Sequence, residues 1–127
     1  MPFFPRAGNA YEEIVAAASR QLARKPAGVS HEEAAALPLA GLTAWQSLVD
    51  VGDVKPGNRV LVHAGGVGHL AAQIAKARGA CVIGTASAGK HPFVRSLGAD
   101  EVIDYRTTDF ADAVRDVDVV LESIGGD

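Results

Sequence analysis

From Arg59 to Leu121, short apolar runs alternate with stretches of helical spacing, and this alternation restricts the fold more than any other feature of the chain. Val60-Leu61-Val62 is flanked by turn residues, as a strand buried on both faces should be. His69 to Arg78 follows, with Leu70, Ile74 and Ala77 at helical spacing and Gly79 as the stop. Cys81-Val82-Ile83 predicts a second strand. A helix from about Lys90 to Leu97 should end at Gly98, and Pro92 is tolerated there only in the first turn. Glu101 to Asp104 predicts a third strand and Val117 to Leu121 a fourth. Thr107 or Thr108 is placed to cap a helix through about Val114. Short connections of this kind give a parallel sheet with right-handed crossovers. The expected class is therefore α/β, a parallel sheet of strand order 3-2-1-4 with flanking helices.

The composition suits such a core. Hydrophobic residues make up 48% and aromatics only 6%, so Ala, Val, Leu and Ile must fill the interior. Ala71, Ala72 and Ala75 let the first of these helices sit close on the sheet. Twelve basic residues against fifteen acidic ones give a net charge of -3, which leaves no domain-wide positive field for a nucleic-acid backbone. The single cysteine, Cys81, excludes an internal disulfide and a multi-thiolate zinc site. No run reaches the ~18 apolar residues of a membrane span. The N-terminus lacks a basic flank followed by an apolar stretch, so a cytoplasmic protein is expected.

Before Arg59 the pattern is weaker. Met1 to Asn9 reads as an irregular arm, and Tyr11 to Ala18 is compatible with a strand or a short helix. Lys25-Pro26-Ala27-Gly28 predicts a turn. Ser30 and Glu33 have capping-box spacing ahead of an alanine-rich stretch. Pro38 should end or kink that helix, because it lacks an N–H and its ring crowds the preceding turn. A second helix from about Leu39 to Val51 would place Leu42, Trp45 and Val49 on one face.

The strongest candidate site is the loop Ala64-Gly65-Gly66-Val67-Gly68, between the first strand and its helix. Glycines allow a ligand to approach the backbone closely, and the helix beyond offers unpaired N–H groups and the positive end of its dipole. Together these suit a pyrophosphate. Only Gly65-x-x-Gly68 of the usual dinucleotide fingerprint is present, and the alternative reading is a turn that merely packs helix on strand.

The end of the second strand bears on which dinucleotide. A site for NAD usually carries an acidic residue there, to accept hydrogen bonds from the ribose. This chain has Thr85-Ala86-Ser87 and then Lys90, with no acidic residue between Asp53 and Asp100. A hydroxyl and an ammonium suit a 2′-phosphate, which favours NADP(H). The alternative makes Ser87 a helix cap and Lys90 a solvated charge. Tyr105, after the third strand, either reaches the same adenosine end or covers the sheet edge. His63, His69 and His91 have no familiar metal-ligand spacing, so structural roles are expected and no metal site is predicted. Cys81 opens a buried strand and reads as a small core residue.

The stretch E-E-A-A-A-L-P-L-A-G-L-T-A-W-Q at residues 32–46 is followed by V-L-V-H, G-G-V-G, A-Q-I-A-K-A-R-G-A, S-L-G-A-D-E-V-I-D-Y and I-G-G-D. This series resembles the zinc-independent, zeta-crystallin-like quinone oxidoreductases of the medium-chain dehydrogenase/reductase superfamily, over roughly residues 9–127. The resemblance implies a partial Rossmann domain over 30–127, preceded over 1–29 by a remnant of a GroES-like catalytic domain. It implies that Gly65, Gly66, Val67 and Gly68 hold the pyrophosphate of NADP(H) and that Ser87, Lys90 and Tyr105 surround the 2′-phosphate. Thr43 would lie near the nicotinamide, and Ile124 and Gly125 would line the cofactor cleft. No catalytic residue is assigned. The implied activity is hydride transfer from NADPH to a quinone or an activated alkene, with no nucleic-acid or membrane partner. Two departures accompany it. The loop after His63 is shorter than the family's usual one, which should draw the helix toward the strand or shift its start. The family's domain also extends beyond both ends of this chain, so strand four or a neighbour should form an open edge through which two copies could pair. On that view the chain unaided is a nucleotide-binding or interaction module, or a degenerate remnant, and is not expected to catalyse alone.

Overall fold

The computed structural model describes Tyr11 and residues 13–123. Its centre is a four-stranded, all-parallel sheet in the order β3-β2-β1-β4. The strands are β1 (Arg59–His63), β2 (Cys81–Thr85), β3 (Glu101–Ile103) and β4 (Val119–Leu121). Helix α1 (His31–Trp45) precedes them; α2 (Gly68–Ala77), α3 (His91–Ser96) and α4 (Phe110–Ala113) connect them. The expected class and strand order are thus observed.

Central strands carry the core. After its first residue, each of β1 and β2 is buried throughout, as a parallel sheet covered on both faces requires. Val60, Val62, Val82 and Ile83 are fully buried, and Leu48 and Val54 join them from the segment before β1. In α2 the buried residues are Gly68, Ala71, Ala72 and Ala75, small side chains that let the helix lie close to the sheet. His63 in β1 pairs with Thr85 in β2, so both strands extend past the apolar runs that announced them.

Two helix ends follow the sequence closely. Gly79 takes a φ of 83°, and the Gly79 and Ala80 N–H groups donate to the Lys76 and Ala75 carbonyls, closing α2 in a Schellman motif. Gly98, with a φ of 103°, closes α3 the same way on Arg95 and Val94. The capping box also forms: Glu33 N–H donates to Ser30 Oγ at 3.1 Å, and Ser30 N–H donates to Glu33 Oε2 at 2.9 Å.

Elsewhere the structure corrects the local reading. Helix α1 continues past Pro38 to Trp45, so the proline does not end it. Proline costs a helix interior roughly 3 kcal/mol. The capping box holds one end of α1, and the other end packs on α2, where Gly41 faces Leu70. A wide π-helical turn (Gln46–Val51) follows, closed by Gly52 N–H on the Ser47 carbonyl at 2.9 Å. The continuous helix and this wide turn put Ala44 and Leu48 on the buried line, while Trp45 is 45% exposed. The residues capping α4 also differ. The Thr107 and Thr108 N–H groups are taken by the Asp104 carbonyl, and the cap is Asp109, whose Oδ1 accepts from Ala111 N–H at 2.9 Å. Residues 15–18 are neither strand nor helix, and a single 3-10 turn follows at Ser19–Gln21.

A polar link ties α2 to the sheet. Lys76 Nζ donates to Asp100 Oδ1 at 2.5 Å, and Val82 N–H donates to Asp100 Oδ2 at 2.7 Å. The Lys76 hydrogen bond first, and then the Val82 amide, hold the Asp100 carboxyl below the usual carboxylate range. Among the described residues no helix is long and apolar enough to cross a membrane.

Candidate functional site

The carboxyl ends of the parallel strands open into a cleft of about 460 Å3 between α2 and α3. Such ends, at the point where strand order reverses, are where open α/β sheets take ligands. Here that point lies between β1 and β4, and the cleft lies beside it, over the ends of β1 and β2. The walls bring together Gly65, Gly66, Gly68, Ser87, Lys90 and Tyr105, which are six of the residues the sequence singles out. The floor is apolar, built by Val62, Ala72, Val94 and Leu97. No Asp or Glu is among the described residues that line the cleft.

The glycine loop leaves its amides open. Ala64 N–H continues the strand register by donating to the Thr85 carbonyl at 3.0 Å. From Gly65 to Gly68, no backbone N–H is bonded to another group among the described residues, whereas the Gly65 and Val67 carbonyls accept from His69, Leu70 and Ala71. These are the orphan donors of a helix N-terminus, at the positive end of a ten-residue helix.

The three glycines differ in purpose. At Gly68 a Cβ would lie 2.0 Å from the His63 carbonyl oxygen, so only glycine lets α2 start this close to β1. Neither Gly65 nor Gly66 has a positive φ, and a Cβ on either would meet nothing within 4 Å. Backbone strain and internal packing therefore give no reason for glycine there. Close approach of something outside the chain does.

The other candidates fall as follows. Ser87 precedes the 3-10 turn Ala88–Lys90, but its hydroxyl makes no capping hydrogen bond and lines the cleft. Lys90 is exposed on the same turn and forms no ion pair among the described residues. Tyr105 is 53% exposed, with the Arg106 guanidinium 5.9 Å from its ring centroid. Val67 contributes an amide, while its side chain packs against the core. Thr43 lies on α1 and is not among the residues lining the cleft; its hydroxyl donates to the Leu39 carbonyl at 2.8 Å. Ile124 and Gly125 lie outside the described residues.

The structural role expected for His63 is observed, with partners the sequence does not name. The His63 ring is buried and spans the sheet: Nδ1 lies 2.7 Å from Thr85 Oγ1 and Nε2 lies 3.0 Å from Glu122 Oε2. An ionised carboxylate only accepts, so Nε2 carries a proton toward it. The ring thereby fastens the ends of β2, β1 and the segment after β4 beneath the glycine loop. His69 lines the cleft, with Nδ1 3.2 Å from the Gly65 carbonyl oxygen. No local pattern in the sequence marks the His63 contacts, because its partners lie on β2 and just after β4. Among the described residues no group of three or more His, Cys, Asp or Glu is placed to hold a metal ion.

Open amides, uncrowded glycines, a free ammonium and the absence of an acidic wall together fit a phosphate-rich nucleotide. Comparison with known proteins points the same way. Residues 66–127 match the family described as "Zinc-binding dehydrogenase". A structure of the quinone oxidoreductase from Coxiella burnetii superposes with a TM-score of 0.77 at 48% identity, covering 82% of this chain and 33% of that one. The CurK enoyl reductase superposes with a TM-score of 0.75 at 45% identity, covering 82% of this chain and 34% of that one. The synaptic vesicle membrane protein VAT-1 homolog of Danio rerio is 44% identical over 124 residues, which is 91% of this chain and 26% of that protein. The chain thus spans about a quarter to a third of the length of these three relatives. Residues 66–127 are thus similar to the zinc-binding dehydrogenases, and the four-stranded sheet matches the nucleotide-binding Rossmann architecture of the medium-chain dehydrogenase/reductase superfamily.

Proposed function

We propose that this chain binds NADP(H) across the mouth of the glycine loop and forms the cofactor-holding part of an oxidoreductase that reduces a quinone or an activated alkene. The observation that carries the reading is the pairing of open amides at Gly65–Gly68 with the free ammonium of Lys90 on one acid-free cleft. The likeness to a quinone oxidoreductase and an enoyl reductase supports the two acceptor classes.

In this reading the amides of Gly65 to Gly68 receive the pyrophosphate, helped by the dipole of α2. Ser87 and Lys90 receive the 2′-phosphate, Lys90 as a point charge and Ser87 as a hydroxyl donor. Tyr105, steadied by Arg106, closes the adenosine end. The cofactor, when bound, supplies the hydride. The protein's own work is to hold it: His63 fixes the strand ends below the loop, and the apolar floor of the cleft excludes water from beneath it.

Lys90→Ala tests the phosphate assignment. Fluorescence titration of the purified chain should show NADPH affinity about tenfold weaker in the variant and NADH affinity unchanged. The difference should shrink at high salt, since Lys90 is exposed. Equal effects on the two cofactors would contradict the assignment.

A further inference from the structure

We infer that Asp104 is a positioning residue that gives the cleft its preference for a 2′-phosphorylated nucleotide. The inference rests on the NADP(H) reading and extends it to a side chain that need not touch the ligand. Asp104 follows β3 directly and is half-buried. Both of its carboxylate oxygens are taken by backbone amides. Oδ2 accepts from Ala88 N–H at 3.1 Å, and Oδ1 accepts from Arg106 N–H at 3.0 Å. Its carbonyl accepts in turn from Thr107 and Thr108 N–H.

One side chain therefore pins two segments that the sheet ladder does not join. The first is the turn that carries Ser87 and Lys90; the second carries Tyr105 and Arg106. Between them they supply every side chain assigned to the 2′-phosphate. The amides of Gly65–Gly68 lie beyond β2 in the sheet and make no bond to Asp104. Loss of the pin should disturb one end of the cleft and leave the other intact. The sign of the charge needs attention as well. A carboxylate facing the 2′-phosphate would repel it, as the acidic residue of an NAD site does. At Asp104 both oxygens are engaged by the amides the pin holds, so the geometric benefit should exceed the repulsion.

Calorimetric titration with NADPH and with NADH, on the native chain, Asp104→Ala and Asp104→Asn, tests this. Asp104→Ala should weaken NADPH about tenfold and change NADH less than about twofold, so the affinity ratio falls. Asp104→Asn, which keeps one carbonyl acceptor, should fall between. If the alanine variant fails to fold, the asparagine variant carries the comparison. A uniform loss for both cofactors would reduce Asp104 to a structural role and overturn the inference. So would an unchanged ratio, or a tighter grip on NADPH in Asp104→Asn, which would mean that repulsion dominates. A native chain with no preference for NADPH would instead overturn the reading of the site on which the inference stands.

Discussion

Gly68→Ala is expected to cost about 3 kcal/mol or more and to abolish nucleotide binding. The added methyl would sit 2.0 Å from the His63 carbonyl oxygen and 2.9 Å from its carbon. Both are backbone atoms of a central strand, so no side chain can swing aside. Either α2 moves away from β1 or the end of β1 is displaced. The first shift withdraws the amides of residues 65–68; the second strains the bonds of His63 to Thr85 and Glu122. In a domain of this size such a loss should lower Tm by roughly 10–20 °C. Gly65→Ala is the internal control. Its methyl meets nothing within 4 Å, so stability should stay within about 0.5 kcal/mol of native. On the proposed reading its affinity for NADPH should nonetheless fall, because a methyl there would crowd the open amides. Thermal melts and titrations on both variants separate the packing role of one glycine from the binding role of the other. Equal melting of Gly68→Ala and the native chain would contradict the packing account.

Leu48→Ala should cost about 2–5 kcal/mol, seen as a lower midpoint in urea with little change in slope. Leu48 is fully buried in the wide turn after α1, and its carbonyl accepts from Val54 N–H at 2.9 Å. It joins Val60, Val62 and Leu121 in the core, so its removal opens a cavity beside β1 and β4. At temperatures where the variant remains folded, cofactor affinity should change less than stability, because Leu48 itself does not line the cleft. A cost below about 1 kcal/mol would mean that α1 and the turn after it are not docked on the sheet as described.

These two sites also mark how far the sequence can be read. The strands, the Gly79 and Gly98 stops and the Ser30–Glu33 box depend on neighbours within a few residues, and the structure reproduces them. The glycine loop was legible for the same reason, as were Ser87, Lys90 and Tyr105 at successive strand ends of a 3-2-1-4 sheet. Pro38 misleads because its effect is local while the forces that keep α1 whole, its packing on α2 among them, are not. The register of Ala44 and Leu48 was lost with it, since a π turn shifts the helical phase in a way no 3.6-residue pattern contains. Thr107, Thr108 and Asp109 are all good caps by residue type, and the choice falls to Asp109, the residue directly before the first turn of α4. Asp104 and His63 were illegible as organisers. Each bonds groups brought near by the crossovers, some 16 to 22 residues away or more along the chain.

The central claim is that a nucleotide's phosphates rest on the amides that open α2. Backbone amide NMR of the isotope-labelled chain, followed during titration with NADPH, reads those groups directly. The largest shifts are expected at Gly65, Gly66, Val67 and Gly68, with a second set at Ser87 to Lys90 that NADH does not reproduce. Saturable shifts confined to other surfaces, with the amides of residues 65–68 unmoved, would contradict the account.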